Sequence, residues 1–192
     1  LTPESQQQLE RVMDEAPKLF AISEQLMGLH DEAAVLAQRL SQMRSELLQL
    51  DDHYRSAADL LLRFSANQRS LLNKAELITS GIARDLKMIQ RADARTNLQE
   101  LQSVLAKDIE MANQRLTRVA VPEDVKARFI HHVQRIPLLV FGEQGLIAAL
   151  TRHQEIDVQL RALRQKQEAS TRQLGVALDQ LIVISNQSMQ AD

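Results

Sequence analysis

A chain of 192 residues is long enough for one domain with a sizeable core, and 44% apolar with 25% charged residues excludes a disordered chain. The net charge of −2 argues against nucleic acid as a partner, because phosphate binding needs a clustered excess of Lys and Arg. The lack of cysteine excludes a disulfide framework, a thiol nucleophile and a Cys-based zinc site.

Aromatic residues make up only 3% of the chain, so the core must be built from Leu, Ile, Val, Ala and Met. Five glycines and four prolines are too few for many tight turns, which favours a few long helices over a sheet. The sequence has no stretch of about 18 apolar residues, the length that spans a membrane.

In chain order, Thr2-Pro3-Glu4 is a helix start: a capping hydroxyl, Pro at the first helical position, and an acid at the positive end of the dipole. The first helix places Leu9, Val12, Met13 and Ala16 on one face, and Pro17 breaks or bends it. From Leu19 to Ile82 runs a seam in which apolar residues recur at alternating steps of three and four, including Leu26, Leu36, Leu47, Tyr54, Leu61, Phe64, Ala75 and Ile78, interrupted only by Gln68. The seam stays in phase and holds no Pro, which favours one helix. A hairpin turning at Asp51-Asp52-His53 or at Ser65-Ala66-Asn67 is the alternative. One helix of this length would measure about 95 Å, whereas a compact domain of this size has a radius of gyration of roughly 16 Å, so a rod is expected.

Gly81 and the run Arg91-Ala92-Asp93-Ala94-Arg95 mark a change of packing or an end. Thr96 and Gln99 match a capping box, opening a helix that buries Leu98, Leu101, Leu105, Ile109, Ala112 and Leu116. Val121-Pro122-Glu123-Asp124 starts the next, which buries Val125, Phe129, Val133 and Ile136 and is disturbed by Pro137. Phe141-Gly142-Glu143-Gln144-Gly145 is the clearest turn. Beyond it a second seam runs through Leu146, Ala149, His153, Ile156, Leu160, Leu163, Gln167, Ser170, Leu174, Ala177, Leu181 and Ile184. The expected fold is all-α: an elongated antiparallel bundle of four to five helices, two of them very long, forming a single domain over residues 1–192.

The residues of catalysis are missing. There is no Gly-rich phosphate loop, no dinucleotide fingerprint and no nucleophile elbow. His-Glu-x-x-His and Glu-x-x-His are absent, and the adjacent His131 and His132 point about 100° apart on a helix, so no metal site is expected. Neither an enzyme nor a cofactor is expected. Polar residues inside the last seam, His153, Gln167 and Ser170, need partners on other helices, and they either set register or line a polar pocket.

The stretch from Leu138 through Gly142 and Gly145 to Ile147, followed by Leu150, Arg152 and a long helix ending in Leu181-Ile182, resembles the periplasmic helical region of hybrid sensor histidine kinases related to the trimethylamine-N-oxide sensor. The resemblance covers mainly residues 97–186 and rests on the Gly-x-x-Gly turn that opens the last helix. Ile147 stands where an aromatic is usual. It implies a periplasmic domain of an inner-membrane protein and a homodimer. It also implies an input from a small-molecule ligand or a periplasmic binding protein, and no catalysis within this stretch. On that reading the chain is a piece of a longer membrane protein. A chemoreceptor ligand-binding domain and a scaffolding coiled-coil protein are the alternatives.

Tyr54, Arg55, His131, Arg135, Arg152 and His153 are the candidate ligand-binding residues, with Gly142 and Gly145 as the motif turn. Tyr54 is the single tyrosine and lies on the seam, so its hydroxyl needs a partner. Arg55 and Arg135 can grip a carboxylate through the guanidinium fork.

Overall fold

A computed structural model describes residues 2–191, which form five α-helices and, among the described residues, no strand. These are α1 (Pro3–Ser65), α2 (Arg69–Gln90), α3 (Leu98–Leu116), α4 (Glu123–Val140) and α5 (Leu146–Ala191). The two long ones are α1 with 63 residues and α5 with 46. Leu36–Gln154 form one compact unit, and the flanking segments form a second.

The start of α1 is built as its sequence implies. Thr2 Oγ1 accepts a hydrogen bond from the Ser5 amide at 3.2 Å, and Glu4 lies in the first turn. Pro17 does not break the helix. It removes the amide that would bond the Met13 carbonyl, but Pro17 and Met13 both lie on the exposed face, where water can take that carbonyl.

In the flanking unit, α1 and α5 run antiparallel. Glu4 shares a groove with Ile184, Glu15 with Arg172, and Leu29 with Gln159, so contacts advance along one helix as they retreat along the other. The Ser170 hydroxyl, buried in the seam of α5, donates to the Glu15 carboxylate at 3.3 Å. A polar seam position thus finds its partner on another helix.

In the central unit the long seam folds back on itself. The helix that starts at Pro3 ends at Ser65, and the chain turns through Ala66, Asn67 and Gln68 before α2 begins. The favoured single helix over 19–82 is therefore corrected to a hairpin, at the second of the two turn positions. The seam kept its phase because a three-residue link fills one step of the three–four alternation, and both helices turn their apolar stripes to the same core. Phe64 consequently faces solvent at 51% exposure, and Ser65 is buried instead, its hydroxyl donating to the Leu61 carbonyl at 2.8 Å.

Cross-helix bonds give the topology. Arg44 donates to the carbonyls of Gln90 and Ala92, and Tyr54 to that of Thr79, so α2 runs antiparallel to α1. Arg39 donates to Gln144 Oε1 at 2.8 Å while the Tyr54 ring meets Phe129, so α4 also opposes α1. α2 and α3 pack closely, with Gly81 against Asp108 and Met88 in one groove with Leu101. The start of α5 holds the α2–α3 loop: Gln154 Nε2 donates to the Asp93 and Ala94 carbonyls, both at 3.2 Å.

Leu47, Tyr54, Leu61, Ile78, Ile82, Leu86, Ile89, Leu105, Leu116, Phe129, Ile136 and Leu146 are the largest fully buried side chains of the core. Each such side chain contributes roughly 1.5–3 kcal/mol of transfer free energy. The capping residue of α3 is Asn97, which accepts from the Glu100 amide at 3.2 Å, one position after the expected Thr96. Thr96 instead accepts from the Asp93 amide and closes the preceding turn. Pro122 caps the start of α4, and Pro137 lies inside α4 without ending it. The Phe141–Gly145 turn is present, and its second glycine is obligatory through space. A Cβ on Gly145 would lie 2.8 Å from both the Gly142 nitrogen and the Val140 carbonyl oxygen.

Candidate functional site

The antiparallel packing of α1 on α4 leaves a cleft of about 330 Å³ lined by Glu46, Gln49, Leu50, His53, Arg135, Leu138 and Leu139. Spacing explains which residues reach it. Glu46, Gln49, Leu50 and His53 recur at steps of three, one and three on α1, and Arg135, Leu138 and Leu139 at steps of three and one on α4. Leu50 forms a buried floor, while Leu138 is 79% exposed at the rim. One end of the cleft carries a guanidinium and an imidazole, and Glu46 adds a carboxylate.

A histidine cluster adjoins it. The rings of His53 and His132 stack at 5.6 Å with only 5° between their planes, and His131 meets His132 edge-on at 5.4 Å. Because consecutive helical residues diverge by about 100°, His132 turns toward α1 while His131 remains exposed. Burial, then the charges of His131, His53 and Arg135, hold His132 below the usual histidine range. Its Nδ1 is buried without a hydrogen-bond partner. Among the described residues, no group of three or more His, Cys, Asp or Glu could hold a metal ion.

The structure brings two of the sequence candidates to this place: Arg135 lines the cleft, and His131 belongs to the neighbouring cluster. Tyr54, fully buried, donates its hydroxyl to the Thr79 carbonyl at 2.6 Å. Burial, reinforced by the charges of Asp51 and Asp85, pushes its ionisation far up, so the phenol stays neutral. Arg55 is half-exposed and pairs with Asp51 on its own helix, Nε to Oδ2 at 3.0 Å. Arg152 and His153 are half-buried near the start of α5, and neither lines the cleft. Gly142 and Gly145 shape the turn before that helix. Sequence reasoning passed over Glu46, Gln49 and His53 as site residues. His53 and His132 stand far apart in the chain, and no local pattern joins them.

No protein-family model matches the chain, and no curated protein sequence matches it. Among solved structures, the chain is similar to the TorS sensor domain in its complex with TorT in the presence of TMAO. The two superpose with a TM-score of 0.55 at 14% identity, over 95% of this chain and 76% of the other. At that identity the likeness shows a shared fold.

Proposed function

We propose that this chain is the extracytoplasmic sensory input domain of a two-component histidine kinase, periplasmic and anchored through its parent protein in the inner membrane. The observation that carries the reading is the fold shared with a sensor domain solved together with a second protein. The motif turn at Gly142 and Gly145 and the absence of catalytic motifs agree with it.

Input arrives at the α1–α4 cleft, as a small ligand held by Arg135 and His53 or as a loop of a periplasmic binding protein. Either shifts the domain only by its differential affinity for two helix arrangements. Output leaves along α1 and α5 as a small displacement, which packed helix interfaces transmit because they are bistable.

The working unit is a homodimer. Leu9, Met13, Ala16, Phe20 and Met27 fall on one row of α1 at steps of four and three, with Ser23 the single polar member, outside the seam that faces α5. Met13, Phe20 and Met27 are each about two-thirds exposed, at 66%, 67% and 67%. An apolar stripe at that spacing is the kind that packs against another helix. Cysteines placed singly at Met13, Phe20 and Met27 test this cleanly, because the chain has no other thiol. Rapid crosslinking between copies is expected at these sites. Equal crosslinking at Asp14 or Lys18 would sink the dimer.

A thermal-shift screen with small carboxylates, amines and N-oxides tests direct sensing. A compound at a hundred times its dissociation constant raises stability by about 2.7 kcal/mol. A hit that Arg135→Ala abolishes supports the cleft. A hit that the variant leaves intact moves the input elsewhere.

A further inference from the structure

Asp85 belongs to the buried stripe of α2, together with Ile78, Ile82, Leu86 and Ile89, and its side chain is 0% exposed. Facing it from α3 is Asp108. The Asp108 carboxyl carbon lies 3.4 Å from where a Cβ on Gly81 would stand. The missing side chain at Gly81 thus lets α3 come close enough to set one acid against the other.

Three oxygens of the pair, both of Asp85 and Oδ2 of Asp108, are buried without a hydrogen-bond partner. Arg84 is the neighbouring cation, but it is 67% exposed, and its nitrogens stand 3.9 Å from Asp85 and 3.7 Å from Asp108. Those separations exceed hydrogen-bond reach. Tyr54 of α1 adds no donor, since its hydroxyl is committed to the Thr79 carbonyl, and Asp51 on the same helix is an acceptor paired with Arg55. Ionised carboxylates are acceptors only, so the group that satisfies this arrangement is a proton. A metal ion is disfavoured, because among the described residues no third acid, His or Cys joins the pair.

We propose that Asp85 and Asp108 form a proton-binding site in which one shared proton bridges the carboxyls, and its release to solvent past Arg84 loosens α2 against α3. Burial, then the neighbouring Asp108 carboxyl, raises Asp85 to about 7, with Arg84 pulling the other way. The site stands apart from the proposed signalling role; in a sensor it makes acidity a second input.

Hydrogen exchange of the full chain at pH 6 and pH 8 tests the site, with rates corrected for intrinsic exchange. Amides of α2 and α3 should open roughly tenfold more often at the higher pH, since opening rises tenfold per unit below the folded-state midpoint and levels off above it. Asp85→Asn cannot ionise and offers Asp108 a permanent donor, so its profile should be flat over that range. Identical pH profiles in the variant and the parent would overturn the proposal. A carbon-13 titration of the unmodified chain decides even if the variant does not fold: a midpoint near neutrality for Asp85 supports the site, and an ordinary midpoint near about 4 refutes it. If magnesium or calcium chloride removes the pH response, the pair is a cation site and the proton assignment fails.

Discussion

The Tyr54 hydroxyl donates to the backbone carbonyl of Thr79 at 2.6 Å, and its ring lies 5.7 Å from that of Phe129, so one side chain of α1 ties together α2 and α4. The single tyrosine is a strut of the core, on a face of α1 next to the cleft rather than in it.

Replacing that residue separates its two contributions. Tyr54→Phe keeps the ring and should cost about 1–2 kcal/mol, the value of a buried hydrogen bond. Tyr54→Ala should cost about 3–5 kcal/mol through the cavity it leaves. Urea unfolding measures both. A Phe variant as stable as the parent would show that the hydrogen bond adds nothing.

The glycines divide into opposite classes. Gly145→Ala forces a Cβ to within 2.8 Å of backbone atoms and should destabilise by about 1–3 kcal/mol. A Cβ on Gly28 or Gly175 meets nothing within 4 Å. Alanine at either site should stabilise by about 0.5–1 kcal/mol through helix propensity. Denaturant midpoints of the three variants give the signs directly.

Leu160 and Leu174 occupy equivalent positions of the α5 seam, but Leu160 is 8% exposed and Leu174 is half-buried. Leu160→Ala should cost about 2–4 kcal/mol, and Leu174→Ala about half as much. Equal losses would mean that Leu174 is covered in solution, as packing of a second copy would do.

His132 and Asp85 drive stability in opposite directions with pH. The folded state holds His132 below its unfolded value, so its contribution is present above about pH 6.5 and fades as the pH falls through the folded value. Asp85 is raised to about 7, so its contribution is complete below about pH 3.8 and is lost as the pH rises through 7. Chemical denaturation from about pH 4 to 9 should therefore show stability falling from the acid end to about pH 7 and levelling above it, with the fall offset where His132 titrates. His132→Gln should remove that offset and Asp85→Asn the fall. In a proton NMR titration, Arg135→Ala should raise the His132 midpoint, because it removes a nearby positive charge. An unmoved midpoint would show that the two groups do not sense each other.

Hydrophobic periodicity was enough to say that the chain is helical and which residues enter the cores. Every named seam position of α5, from Leu146 to Ile184, is buried or half-buried, and the six apolar positions expected of α3 are its buried residues. Burial of an apolar stripe follows the 3.6-residue period whatever lies opposite, so a local pattern is sufficient. The turn at 66–68 escaped because reversal there leaves the period unbroken, and Phe64 went to solvent with it. The sites came from packing in three dimensions. The stacking of His53 on His132, the cleft that Arg135 and Glu46 both line, and the meeting of Asp85 with Asp108 join residues on different helices. Their chemistry depends on how closely and in what register two helices approach. That distance is set by packing, as where Gly81 lets α3 close in, and hydrophobic periodicity carries no record of it.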